Sequence, residues 1–164
     1  MLTTDTSTAL SRLFSELADG VPQARNGYML NPGDIGLLAS LDKLSAVDAS
    51  RSAHDGATIA AHAQHVRYGL TLMNRWATEG GNPFANAKWD DAWKITAVSE
   101  AEWTEIRNGL RDECQRWLKV LQTPREIPRG EFQGLVSSIG HFAYHLGAIR
   151  QINKNVRGPK DGAV

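Results

Sequence analysis

Phe132-Gln-Gly-Leu135-Val-Ser-Ser-Ile139-Gly-His141-Phe142-Ala-Tyr-His145-Leu146-Gly-Ala-Ile149 carries both a fold and a chemistry. Phe132, Leu135, Ile139, Phe142, Leu146 and Ile149 recur in alternating steps of three and four. That spacing puts them on one side of an α-helix and is the seam of a helix bundle. The pattern predicts a helix over 131–154. His141 and His145 stand four apart on a bordering stripe with Gly134, Ser138 and Ala148. Residues so spaced share a face with Cβ atoms roughly 5–6 Å apart, a span that two imidazoles on one metal ion can bridge. The small neighbours leave space around the rings.

Working back from this segment, the other long helices come from the same periodicity. Ser99-Glu100-Ala101-Glu102 is a capping box, and Trp103, Ile106, Leu110, Cys114 (or Glu113), Trp117 and Leu121 make the stripe that follows. Ile59, Ala63, Val66, Leu70 and Met73 place another helix over 57–78, stopped by Gly80-Gly81-Asn82-Pro83. Leu10, Leu13, Phe14 and Leu17 place a first helix over 6–18, closed by Gly20. Asn31-Pro32 opens a short helix through Ile35, Leu38 and Leu41. Residues 45–56 read as connection, and 82–98 as a packed loop with room for one helical turn. No strand pattern occurs. The expected fold is all-α, a four-helix bundle in one domain over 1–156, with 157–164 as a flexible tail.

Composition narrows the partners. The 164 residues are 41% apolar, enough for one sizeable core. Eighteen basic and eighteen acidic residues cancel, which argues against nucleic acid and against an anionic membrane surface. No apolar run is long enough to span a bilayer, and the N-terminus lacks the pattern of a signal peptide. The single cysteine, Cys114, permits no intrachain disulfide. These features fit the cytoplasm.

Two imidazoles rarely hold a zinc-like ion alone, so a third ligand must come from elsewhere. The helix over 57–78 offers His62 and His65, three apart on one face. Bundle interiors build metal sites in this way, from facing helices. A thermolysin-type site is excluded, because Phe142 stands where the general-base glutamate would follow the first histidine.

Two segments carry a resemblance to a family. Thr58-Ile-Ala-Ala-His62-Ala-Gln-His65-Val-Arg-Tyr68 and Gly140-His141-Phe-Ala-Tyr144-His145-Leu-Gly-Ala-Ile-Arg-Gln151 resemble the histidine segments of the DinB-like superfamily of bacterial helical-bundle proteins. Tyr28-Met-Leu-Asn-Pro-Gly33, Leu37-Leu-Ala-Ser-Leu-Asp42 and Trp89…Trp93…Glu102-Trp103 add weaker echoes. The likeness runs over roughly 10–155 in the expected helix order. It implies a divalent transition metal (zinc, nickel or iron) on His65, His141 and His145, with His62 beside the site. It also implies a homodimer and, for some members, transfer chemistry with a low-molecular-weight thiol such as mycothiol, bacillithiol or glutathione.

Around that site His62, Tyr68, Trp93 and Tyr144 are the expected substrate-pocket residues. Cys114 reads as a buried structural thiol, because no histidine or lysine neighbours it in sequence. Trp76, Trp103 and Trp117 read as core, and Arg67 and Arg150 as solvated helix-face residues. No catalytic residue is assigned. Three imidazoles leave an ion with open positions, so the functional expectation is a metal-dependent enzyme, possible as a thiol transferase or a hydrolase. The alternative is a non-catalytic bundle that binds a ligand or partner.

Overall fold

Thr58 starts the helix on which the site depends. Its side chain accepts a hydrogen bond from the Ala61 amide at 3.1 Å, and its hydroxyl donates to the Ile95 carbonyl at 2.7 Å. One residue thus caps the helix and ties it to the loop that later covers it. In this computed structural model, which describes residues 4–126 and 128–156, six α-helices occur among the described residues. They are α1 (Thr4–Asp19), α2 (Leu37–Asp42), α3 (Ala46–Ala49), α4 (Ile59–Glu79), α5 (Glu100–Gln122) and α6 (Arg129–Ile152). Short 3-10 helices occupy Trp89–Lys94 and Lys154–Val156. The tail expected over 157–164 lies outside the described residues.

The long helices form the bundle. α4 packs on α5 and α6, and α1 packs on the same two from the opposite side. The core holds Phe14 and Leu17 of α1, Ile59 and Val66 of α4, Trp103, Leu110 and Trp117 of α5, and Leu135, Phe142 and Ile149 of α6. The 3.6-residue pattern finds these positions because burying them together removes the most apolar surface from water. The two buried indoles are also satisfied: Trp103 donates to the Leu44 carbonyl at 2.8 Å and Trp117 to the Ser138 hydroxyl at 3.0 Å.

Several expectations change. Ala46–Ala49 is a helical turn inside the stretch read as connection; Ser45 and Asp48 form its capping box, a signal a four-residue helix gives too briefly for periodicity. Phe132 begins the α6 stripe but is 39% exposed and does not join the core. Trp76 is half-buried and meets Phe84 edge-on rather than joining the core. Neither arginine is a free cation. Arg67 pairs with Glu105 at 3.3 Å, and Arg150, largely buried, donates to the Ile35 carbonyl at 2.8 Å beside Asp34. Glu16, half of an unforeseen tether, accepts from the amides of Tyr28, Met29 and Leu30 and pins the 20–34 loop to α1. Among the described residues no helix is long and apolar enough to cross a membrane.

Candidate metal centre

Adjacent α4 and α6 each turn two histidines toward their shared groove. α4 contributes His62 and His65, one turn apart, and α6 contributes His141 and His145. His65 and His145 are buried, while His62 and His141 are half-buried. Nε2 of His141 lies 3.1 Å from Nε2 of His65 and 3.0 Å from Nε2 of His145. One ligand nitrogen from each of His65, His141 and His145 falls within 4.8 Å of the others. Imidazole nitrogens bound at about 2.0–2.1 Å to a first-row ion stand about 2.8–3.4 Å apart for angles of 90–109°, so these two Nε2 separations suit one ion. Imidazole nitrogens suit several first-row transition ions, so the trio could hold a metal of that class.

His62 approaches from a second direction. Its Nδ1 lies 2.9 Å from Nδ1 of His145, the nitrogen opposite the one that joins the trio. If His145 offers Nε2 to a cation, its Nδ1–H donates to Nδ1 of His62. A ring so held has its tautomer and orientation fixed, as metal-ligating imidazoles usually require. With protons alone, Nε2 of His141 has a single lone pair and accepts from either His65 or His145 but not from both, while His62 can donate to His145. Nδ1 of His65 is buried without a hydrogen bond of good geometry, and the Trp89 main chain is the neighbour that favours its protonation.

Burial sets the charge state. Removal from water, with His141 and His62 close by, holds His65 down to about 4 despite the opposing Trp89 main chain. The same effect, reinforced by His141, His62 and His65, takes His145 down to about 3. Desolvation lowers His62 and His141 as well. At neutral pH the cluster therefore presents uncharged rings with free lone pairs, the form that binds metal. No carboxylate is hydrogen-bonded to any of the four rings among the described residues.

The loop supplies a roof. Trp93 stacks on His65 with centroids 4.3 Å apart and planes at 25°, and meets His62 edge-on at 5.5 Å. Trp89 lies 5.6 Å from His65. Tyr68 serves this loop: its oxygen accepts from the Lys88 amide at 3.0 Å and its ring meets Trp89 edge-on. Tyr144 packs edge-on against His145 but is 69% exposed. Of the four expected pocket residues, His62 and Trp93 thus touch the cluster most directly, Tyr144 stands outside it, and Tyr68 acts through Trp89. Cys114 is buried in α5, and desolvation raises its thiol well above the usual range, so it is not a nucleophile at neutral pH.

Sequence reasoning missed a second feature, an apolar cavity against His141 lined by Leu70, Met73, Phe84, Trp89 and Phe142. Val66, Leu70, Met73 and Phe142 had all been read as core seam, and periodicity alone does not distinguish a wall that meets a neighbour from one that meets a cavity.

Compared with family models, with curated proteins and with solved structures, the chain finds no match.

Proposed function

We propose that the chain is a DinB-like, metal-dependent enzyme that joins a low-molecular-weight thiol to a small electrophile. The observation that carries this reading is the trio His65, His141 and His145, three neutral nitrogen donors within 4.8 Å on facing helices. A divalent ion held by three imidazoles keeps positions open, and supplies a nucleophile by favouring thiolate over thiol. The protein's own groups suit that task. The trio donates lone pairs, His62 orients His145, and Trp93 shields one side of the rings from water. Among the described residues no carboxylate is hydrogen-bonded to the rings, a base that a thiolate does not need and water activation often uses. Both the buried thiol of Cys114 and a dependence on a reduced small thiol fit the cytoplasm.

Metal-loaded protein incubated with mycothiol, bacillithiol or glutathione and a panel of electrophiles should consume thiol above background. The excess should vanish in a folded His141→Ala variant. Absence of turnover with every thiol, on protein shown to be folded and loaded, would favour a hydrolase or a non-catalytic binding module.

The same reading includes a homodimer. Phe132, Val136 and Tyr144 succeed one another along the outer face of α6 and are 39%, 47% and 69% exposed. Exposed apolar side chains on one helix suit pairing with a second copy. Light scattering at micromolar concentration should give twice the 18.0 kDa chain mass, and Val136→Lys should halve it. A wild-type monomer would remove the dimer.

A further inference from the structure

On the Nδ1 side of His141, α4 and α6 part around a cavity of about 270 Å³. Leu70 and Met73 form one wall, Phe142 another, and Phe84 and Trp89 close it from the loop. Among the described residues no charged side chain lines it. The Ser138 hydroxyl in its wall is already engaged, accepting from Trp117 and donating to the Leu135 carbonyl at 2.7 Å. Of the other lining residues, exposed Ser137, His141 and the Trp89 indole carry polar groups.

Gly69 accounts for the space. A Cβ there would lie 3.6 Å from the Trp89 ring and 3.7 Å from Cε1 of His141, ordinary contact distances. Gly134 differs, since its Cβ would sit 2.6 Å from the Trp76 ring, so packing requires that glycine. Gly69 lies buried in mid-α4, where glycine is a poorer helix former than alanine, yet a methyl group would fit. What a larger side chain would remove is the room between His141 and Trp89.

We propose that this cavity is a substrate chamber that takes the uncharged aromatic part of a small molecule, one or two rings in size, with its polar end at His141. Apolar and aromatic walls with few polar groups mark a small-molecule site. Size follows from scale: a cavity of about 150 Å³ lined by similar residues holds benzene, so this chamber accommodates a fused pair of rings. Trp89 and Phe142 offer ring faces and edges, and Met73 a polarizable sulfur, all favourable to an aromatic guest. That the guest is a substrate rests on the metal-centre reading; that it binds does not.

The test is calorimetric titration of wild-type protein with 2-naphthol and indole, and with 2-naphthalenesulfonate as a charged control, on both metal-stripped and metal-loaded samples. Both uncharged probes should bind with dissociation constants below about 1 mM, and the sulfonate at least tenfold more weakly. Gly69→Leu should weaken naphthol binding tenfold or more with metal content and helicity unchanged. Gly69→Ala, which the contact distances allow, should fold normally and weaken binding several-fold, so the test survives if the leucine variant does not fold. No binding by wild type, or equal binding by wild type and a folded Gly69 variant, overturns the chamber. A protein that binds naphthol but holds no metal would instead sink the metal centre and leave the chamber standing.

Discussion

Purified protein should carry about one divalent transition ion per chain, and His141→Ala and His145→Ala should each remove most of it. The expectation follows from Nε2 separations of 3.0 and 3.1 Å about His141, which leave each ion edge without a substitute donor once a ring is removed. His65→Ala should behave like the α6 variants. His62→Ala should not, because His62 reaches the cluster only through the outer nitrogen of His145. Loss of such an orienting partner costs about 10–100-fold in affinity, so a tightly bound ion survives purification. Elemental analysis of the four variants decides the matter. Full occupancy in both α6 variants would end the metal centre, and loss in His62→Ala with retention in His65→Ala would move the third ligand by one turn.

Metal-stripped protein should lose stability steeply as the pH falls below about 6.5. The sign follows from the depressed histidines. In the unfolded chain each ring takes a proton near pH 6.5, but in the folded chain His65 waits until about 4 and His145 until about 3. Between those limits the unfolded state binds more protons, so acid favours unfolding, and above 6.5 the effect is absent. Proton uptake by these rings in the unfolded chain draws down stability across that window, where a typical domain has little to spare. Urea midpoints at about pH 7.5, 6 and 5 measure it. Stripped wild type should weaken at each step, His145→Ala should flatten the slope, and bound metal should move the loss to lower pH by competing for the same lone pairs. A midpoint unchanged from pH 7.5 to 5 would mean that the rings are not held neutral.

Much of this molecule can be read from residue order because its determinants are local. Ser99 and Glu102 cap α5 through contacts three residues apart, and the α6 seam from Leu135 to Ile149 needs only the helical period. The His141–His145 pair is local in the same sense. Features that depend on distant partners were not legible. Glu16 looks like any surface carboxylate until the 28–30 loop returns to it, and Arg150 looks solvated until Ile35 and Asp34 close over it. Trp93 is an expected pocket residue, but no periodic signal indicates that its ring lies flat on His65.

What the residue order determined by itself is the helical class, the ends of the long helices and the placing of histidines at face-sharing intervals on two of them, because backbone hydrogen bonding and side-chain period repeat over a few residues. Only the tertiary structure decided that α4 and α6 are neighbours, that His62 turns to the outer nitrogen of His145, and that Gly69 borders a cavity instead of a packed wall. Those outcomes depend on which faces meet when four helices bury their stripes together, and on the few ångströms between side chains more than seventy residues apart in the chain.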